Sequence, residues 1–538
     1  MEFLKNLKPR KYQEEIFETC KIKNCLVVLP TGIGKTLIAL MLAIFKQKQF
    51  PGKKILFLAP TRPLAQQHLD YFIKNLPELF AEMTLFTGKI NPEKRLKTWQ
   101  TADIIFSTPQ CISNDLKNNL YNLNDVSLLI EDESHRCLKN YAYTYVAQTY
   151  KEQSQNPHIL GLTASPGADK KTIEQVAKNL GIEAIEIRTR DSEDVKEYLQ
   201  EREFEIISLD FPNEIKEIVN LIKGLYSKKI QELKNRHLLF KPPTKTFILE
   251  LQRNIMTSIA KGNKNFNMFS GASACAQAIK LSHLIELLET QTLYSSLNYI
   301  QSLFEQAKQN KSKAVQQIIK RPEFNQAYIK LTELSAKKIE NPKIAEIKKI
   351  IQEEINNNPK AKIIIFSQYR DTCTRICKEL NQINNINARV FVGQAKKTSE
   401  KGEISGLSQK EQQQMLDEFK TGKINILAAT SIGEEGLDIP EVNAVIFYEP
   451  IPSAIRKIQR MGRTARLMKG KITILINKAT LDETYYWASF HKEKRMHKAI
   501  QSIKQDLANG KLNLNKQEEK EDKSEEDKEK EEKQKRLF

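Results

Sequence analysis

Leu29-Pro30-Thr31-Gly32-Ile33-Gly34-Lys35-Thr36 follows the apolar run Cys25 to Leu29 and runs straight into the helix-forming stretch Leu37 to Phe45. A buried strand, a glycine-bearing turn and a helix, in that order, make a cradle for phosphates: glycines let backbone N–H groups come close, and the helix N-terminus adds favourable partial charge. Lys35 is placed to reach the β and γ phosphates, and the Thr36 hydroxyl to hold Mg²⁺. Leu29 stands where the general pattern has its first glycine. The stretch predicts a nucleoside-triphosphate site taking ATP and Mg²⁺, with residues 30 to 36 around the phosphates.

Working outward, short apolar runs alternate with helical stretches from Asn24 to about residue 200: Cys25 to Leu29, Ile55 to Ala59, Ile104 to Phe106, Val126 to Ile130 and Ile159 to Leu162. The rhythm returns between about 346 and 480 with Ile363 to Phe366, Val390 to Val392, Ile424 to Ala429, Ala444 to Tyr448 and Ile472 to Ile476. Continuous apolar strands separated by helices are the mark of a parallel sheet covered on both faces, so the fold class is α/β with two such domains. Between them, residues 205 to 345 change to helical spacing, as in Ile215, Ile218, Val219, Ile222 and Leu225. An all-helical insert is expected there. From Lys516 to Phe538 the chain carries ten acidic and eight basic residues and almost nothing apolar, too little to offset chain entropy, so a disordered charged tail is expected.

A second group of chemical residues lies at the end of another apolar run, where Leu128-Leu129-Ile130-Glu131 leads into Asp132-Glu133-Ser134-His135. Asp132 is placed to orient Mg²⁺ through its water shell, and Glu133 to position and deprotonate an attacking water, the two tasks of phosphoryl transfer to water. A cation from another domain stabilises the charge on the leaving phosphoryl. Gln459-Arg460-Met461-Gly462-Arg463-Thr464-Ala465-Arg466 offers three arginines at spacing three, expected along one helical face.

Composition sets limits on partners and compartment. Lys and Arg number 85 against 66 Asp and Glu, a formal charge of +19 over 538 residues, and so basic a surface attracts polyanions. The longest wholly apolar run, Leu37 to Phe45, has nine residues, against the roughly 20 of a membrane-spanning helix. No membrane segment or secretory leader is expected, and the expected location is the cytosol, associated with the nucleoid, or a nucleus. Seven scattered cysteines are expected to be free thiols, with Cys373 and Cys377 as packing residues.

Taken together these motifs resemble those of superfamily 2 helicases. Thr163-Ala164-Ser165 resembles the segment that couples hydrolysis to strand movement, and Pro9-Arg10-Lys11-Tyr12-Gln13 resembles the adenine-reading segment, which implies base contacts from Arg10 and Gln13. Thr430 to Asp438 resembles the motif that touches both nucleotide and backbone, implicating Gly433 and Asp438, while Gln459, Arg463 and Arg466 match the catalytic positions of the arginine motif. Within the superfamily the chain is similar to the archaeal Hef helicase and its Fanconi anaemia M relatives. That likeness is carried by Gly393-Gln394, Gly406 to Gln412, Gly433 to Asp438, Phe447 to Arg456 and Ile285 to Gln291. It implies two RecA-like domains (1–204 and 346–505), a helical insert that helps grip branched DNA (205–345), a tail (506–538), and ATP-driven action on forks and junctions in repair and recombination. Ser134 replaces the family's usual alanine, and Ala465 a frequent glycine.

The same matches nominate backbone contacts to nucleic acid: Thr61, Arg62, Thr87, Gly88, Thr108 and Pro109 in the first domain, and Gln368, Tyr369, Arg370, Gly393, Gln394 and Thr430 in the second. In the insert, Lys261, Lys264, Lys308, Lys311 and Lys313 are either contacts to duplex arms or solvated faces. The final residues Gln534, Leu537 and Phe538 resemble a shortened sliding-clamp-binding peptide, a pattern that also arises by chance in such a tail. The nuclease signature of full-length Hef has no counterpart here, so no strand cleavage is expected of this chain alone, and whether a separate nuclease subunit supplies it stays open. Two other readings stay open: a duplex-RNA-dependent ATPase of the innate-sensor or dicer type, and a non-catalytic junction-binding scaffold.

Overall fold

The computed structural model describes residues 3 to 509, apart from Asn6, Ala168, Asp191, Gln200 and the stretches 394–405, 434–438 and 465–468. Thirteen named strands form two wholly parallel sheets. The first contains β1 (Cys25–Val28), β2 (Lys54–Leu58), β3 (Met83–Phe86), β4 (Ile104–Ser107), β5 (Val126–Asp132), β6 (Ile159–Thr163) and β7 (Ala184–Ile187), in the order β3-β4-β2-β5-β6-β1-β7. The second contains β8 (Arg202–Leu209), β9 (Ile363–Phe366), β10 (Ala388–Phe391), β11 (Ile426–Ala429), β12 (Ala444–Phe447) and β13 (Gly470–Asn477), in the order β10-β11-β9-β12-β13-β8. Apart from β3 and β7 in the first sheet and β8 and β10 in the second, every residue of these strands is buried except Lys471, as expected of parallel strands with helices on both faces.

Strand β8 departs from the sequence reading. Its residues precede the insert, yet all eight pair with β13, from Arg202 beside Gly470 to Leu209 beside Asn477. Arg202–Leu209 therefore belongs to the second sheet, and the helical insert is an excursion out of that lobe. The strand escapes an apolar-run search because it is an edge: burial alternates along it, and Phe204 and Ile206 are each 41% exposed. Strands β3 and β7, also edges, are absent from the reading for the same reason.

The insert is built on the long helices Asn213–Asn235 and Phe266–Thr290, joined by Lys245–Ala260 and followed by Leu293–Lys308, Lys313–Ile319 and Pro322–Ala336. Ile215, Ile218, Val219 and Ile222 meet Leu281, Leu284 and Leu288 in its core. The helix Pro342–Asn357 packs with β9 in the second lobe through Ile347 and Ile351. A 28-residue helix, Leu481–Ala508, then leaves the second lobe and buries Met496, Ile500 and Ile503 in the core of the first. It is called the strap helix below. No helix among the described residues is long and apolar enough to cross a membrane, and all seven cysteines are free and buried.

Candidate functional site

The phosphate loop leaves β1 with Gly32 and Gly34 at φ +86° and +87°, left-handed values that favour glycine. The loop is braced from behind. Tyr12 donates its hydroxyl to the Ile33 carbonyl at 2.5 Å, and Gln13 Nε2 lies 3.3 Å from the carbonyls of both Ile33 and Gly34. A Cβ on Gly34 would fall 2.3 Å from Gln13 Nε2. Gln13 Oε1 accepts from the Arg10 amide at 2.9 Å, and the Arg10 guanidinium covers the Tyr198 ring at 4.7 Å. Gln13 thus spends its side-chain amide on the loop, rather than presenting it outward to a base. Lys35 Nζ donates to the Leu29 carbonyl at 3.1 Å, which gives the residue at the missing-glycine position a use through its backbone.

Asp132, the last residue of β5, is buried, with Oδ2 2.9 Å from His68 Nε2. Burial alone would raise its carboxyl; the hydrogen bond and charge of His68, with the charge of Lys35, outweigh it and hold Asp132 below the usual carboxylate range. His68 is the functional neighbour that sequence reasoning missed, since a lone histidine in the helix Arg62–Asn75 carries no spacing signal. Its ring packs 4.4 Å from Phe57, so the helix after Thr61 and Arg62 is tied directly to the acidic pair. Thr36 and an Asp132 carboxylate held ionised make a donor set suited to a hard divalent cation.

Glu133 takes a left-handed backbone, φ 51° and ψ 44°, a conformation few non-glycine residues adopt. Its carboxylate lies 3.2 Å from His135 Nδ1, which is also 3.2 Å from Thr163 Oγ1. Thr163 Oγ1 accepts the Ser165 amide at 3.0 Å, and Ser165 Oγ reaches Met496 Sδ on the strap helix at 3.0 Å. Ser134, the departure from alanine, donates its buried hydroxyl to the Leu162 carbonyl at 3.1 Å. It therefore joins β5 to the strand that carries Thr163.

The second lobe meets this loop through Gly462. A Cβ on that residue would lie 1.6 Å from Thr31 Oγ1 and 2.8 Å from Thr31 Cβ, so the turn after the helix Ala454–Met461 is seated on the phosphate loop. Arg463, 9% exposed, follows at once, and its Nε donates to the Gly433 carbonyl at 3.1 Å. The expectation of three arginines along one helical face is corrected here. The helix stops at Met461 with Gly462 as its cap, so Arg463 lies in the turn beyond it. Arg460 points into the lobe's core, wholly buried, with its guanidinium 4.8 Å from the Phe366 ring. Burial pushes the nearby Glu449 carboxyl up to about 7, against the charges of Arg460 and Lys343. Gln459 is also buried. Arg466, Asp438 and Gln394 lie outside the described residues, as do Gln534, Leu537 and Phe538.

The nominated nucleic-acid residues that the structure describes follow the carboxyl ends of strands in the two sheets, the edge at which open parallel sheets bind ligands. Thr61 and Thr108 precede helices that follow β2 and β4, Arg62 and Gly88 are exposed, and Pro109 is buried in the first turn of its helix. Thr87 is buried, and its carbonyl accepts from Arg95 Nη1 at 3.4 Å. In the second lobe Arg370 Nη2 donates to the Gly393 carbonyl at 3.4 Å, the Gln368 amide to Glu449 at 2.6 Å, and the Thr430 amide to the Phe391 carbonyl at 3.2 Å. Tyr369 is drawn elsewhere: its ring lies 5.7 Å from His283 of the insert, and burial raises its phenol. Lys261, Lys264, Lys308, Lys311 and Lys313 are all exposed, with Lys308 3.1 Å from Glu305.

Comparison with known proteins matches this arrangement piece by piece. The DEAD/DEAH box helicase family matches residues 10–173, the helicase conserved C-terminal domain residues 343–468, and the helical bundle of putative ATP-dependent RNA helicases residues 214–340. The crystal structure of the Pyrococcus furiosus Hef helicase domain is 43% identical, with a TM-score of 0.66, over 89% of this chain and 98% of that one. A putative ATP-dependent RNA helicase of Methanocaldococcus jannaschii is 37% identical over 93% of this chain and 61% of its own length. The ATP-dependent DNA helicase mph1 of Sclerotinia sclerotiorum is 33% identical over 88% of this chain and 40% of its own length. The chain thus spans less than two thirds of these two curated relatives.

Proposed function

The chain belongs to the superfamily 2 helicases of the Hef type, and we propose that it uses ATP hydrolysis to move on forked or branched DNA during repair and recombination. The observation that carries this reading is the seat of Gly462 on Thr31, because it brings the arginine turn of one lobe against the phosphate loop of the other. In the proposed cycle Lys35 releases the Leu29 carbonyl and takes the β and γ phosphates, while the braced backbone from Pro30 to Gly34 holds the chain of phosphates. Thr36 and Asp132 would hold Mg²⁺, which would supply Lewis-acid stabilisation of phosphate charge. Glu133 orients the attacking water and takes its proton, with His135 beside it as the next group in line. Arg463, joined by Gln459 and Arg466, stabilises the charge on the leaving phosphoryl. Gly433 lines the second lobe's side of the nucleotide, Asp438 is a further contact implied by the family likeness, and Arg10 stacks near the base, with Gln13 acting through the loop it braces.

The Thr61, Arg62, Thr87, Gly88, Thr108 and Pro109 edge, with Gln368, Arg370, Gly393 and Thr430 opposite, tracks the phosphate backbone without reading sequence, and the family likeness adds Gln394 to these contacts. Tyr369 contributes by fixing the insert. Relatives named as DNA helicases support DNA, and a relative named as an RNA helicase supports duplex RNA as the second reading. ATP hydrolysis and unwinding measured on forks, four-way junctions, plain duplex and duplex RNA decide between them. Forked DNA is expected to stimulate most, with Lys35→Ala and Arg463→Ala both inactive. Stimulation by duplex RNA alone selects the second reading, and tight junction binding without turnover selects a scaffold. A sliding clamp at Gln534, Leu537 and Phe538 and a separate nuclease subunit are the proposed partners, in the compartment that holds the DNA; clamp capture lost on removing Leu537 and Phe538 tests the first.

A further inference from the structure

The strap helix presents a face to solvent that neither the hydrolysis site nor the sheet edges use. Trp487 is 52% and Phe490 40% exposed, and His491, Lys494, Arg495 and Lys498 are exposed on the same side. On a helix, positions 487, 491, 494 and 498 fall in one stripe, with 490 and 495 flanking it. The aromatic half is a formed cluster: Trp487 lies 5.8 Å from Phe490 and 6.1 Å from His491, the latter at 30° between planes. The second half is cationic, and among the described residues no carboxylate is paired with Lys494, Arg495 or Lys498. Glu493, the acidic residue in this stretch, turns the other way to pair with Lys457 at 2.9 Å.

A solvated helix face does not explain an indole half open to water, and a purely apolar docking face does not explain three cations that no carboxylate among the described residues pairs with. Aromatic rings beside lysine and arginine, with no acid among them, match unpaired nucleotides, whose bases stack while their phosphates pair with cations. Position argues the same way. The helix starts just past the carboxyl end of β13, the edge to which the nominated backbone contacts belong, and Lys492 donates to the Pro452 carbonyl at 2.8 Å on that edge. We propose that Trp487, Phe490 and His491 form a stacking platform for an unpaired strand, and that Lys494, Arg495 and Lys498 hold its phosphates. The proposal rests on the nucleic-acid motor reading above and adds a contact to it.

The test uses the fluorescence of Trp487 in the full chain. Trp99, the other tryptophan, is buried and stacked on Tyr121 at 3.9 Å, so a ligand-dependent change reports position 487. Titration with an oligothymidylate of about 20 nucleotides is expected to quench the emission. Trp487→Ala should abolish the change and weaken oligonucleotide binding about tenfold, leaving blunt duplex binding as it was, with Trp487→Phe restoring most of the affinity. Lys494→Gln with Lys498→Gln should lower the salt slope by about 1.4, two single-strand phosphates' worth. An oligonucleotide that binds and stimulates ATP hydrolysis while Trp487 emission stays fixed overturns the platform. Unchanged affinity in Trp487→Ala does so too and gives this face to a protein partner. If no nucleic acid stimulates hydrolysis, the motor reading itself fails, an outcome separate from either of those.

Discussion

Gly462 has no room for a side chain. The Cβ of Gly462→Ala would collide with Thr31 Oγ1, and rotating the threonine does not clear its own Cβ at 2.8 Å. The turn must lift from the phosphate loop and carry Arg463 with it. ATP turnover is expected to fall at least about hundredfold, with the melting temperature and the affinity for nucleotide nearly unchanged; a steady-state assay beside a thermal melt checks both. His68 gives a second residue-scale prediction, with a definite sign. His68 is among the groups holding the buried Asp132 carboxyl low. In His68→Ala burial acts with less opposition, Asp132 takes up its proton at higher pH, and the acid limb of the hydrolysis profile moves upward. An unmoved acid limb would remove His68 from this role. Lys35 and Asp132 are legible in the sequence as candidates because each stands in a recognisable motif beside an apolar strand, while the use of Gly462 emerges only from its contact with Thr31. His68 is not legible there, because its partner lies 64 positions away and a single imidazole has no pattern.

At the scale of elements, strands buried on both faces are plain in the sequence, whereas three of the four edge strands, β3, β7 and β8, are not. β1 and β5 announce themselves as continuous apolar runs, while β8 is interrupted by Arg202, Glu203 and Glu205 and is placed only by its pairing with β13. The insert's Glu289-Thr290-Gln291 carries part of the family likeness, and its physical use emerges from the contacts. Gln291 Oε1 accepts from Thr372 at 2.8 Å and Ser367 at 3.2 Å, and Lys343, wholly buried, bridges Thr290 to Asp482. This is the joint between insert and second lobe. One junction in the first lobe makes a prediction about pH. His158, where the chain enters β6, has Nε2 2.7 Å from the Cys20 carbonyl at the end of the helix Lys11–Ile22. Burial, with help from Lys46, lowers its imidazole to about 4 from 6.5. The unfolded chain therefore binds the extra proton first as pH falls, and stability present above pH 6.5 is lost on the way to about 4. The shift corresponds to about 3 kcal/mol. His158→Gln keeps a neutral donor there, so denaturant midpoints measured between these limits should fall with acid less steeply than those of the parent chain.

Across the whole molecule the strap helix touches insert, second lobe and first lobe in turn. It begins against insert and second lobe, where the Leu481 amide donates to Glu289 at 2.9 Å, and ends on the first lobe, where Lys170 pairs with Asp506 at 2.8 Å. Between those ends Met496 meets Ser165, the last link in the hydrogen-bonded line that starts at Glu133. The spacing of Met496, Ile500 and Ile503 reveals a buried helical face, yet no spacing can tell which lobe covers it, so a helix encoded after the second sheet reads as part of that lobe. Replacing Ile500 and Ile503, both wholly buried, with aspartate puts charge where only apolar groups surround it, a change that costs several kcal/mol unless the helix peels away. Peeling removes the strap's tie between the lobes and leaves the seat of Gly462 on Thr31 as their direct contact. Calorimetry is expected to resolve two transitions where the parent chain gives one. Nucleotide binding should persist, and the stimulation of hydrolysis by forked DNA should drop by about tenfold or more, roughly 1.4 kcal/mol of lost coupling. A single transition with full stimulation would mean that the lobes communicate only through the nucleotide cleft, and that the strap merely covers the first lobe's core.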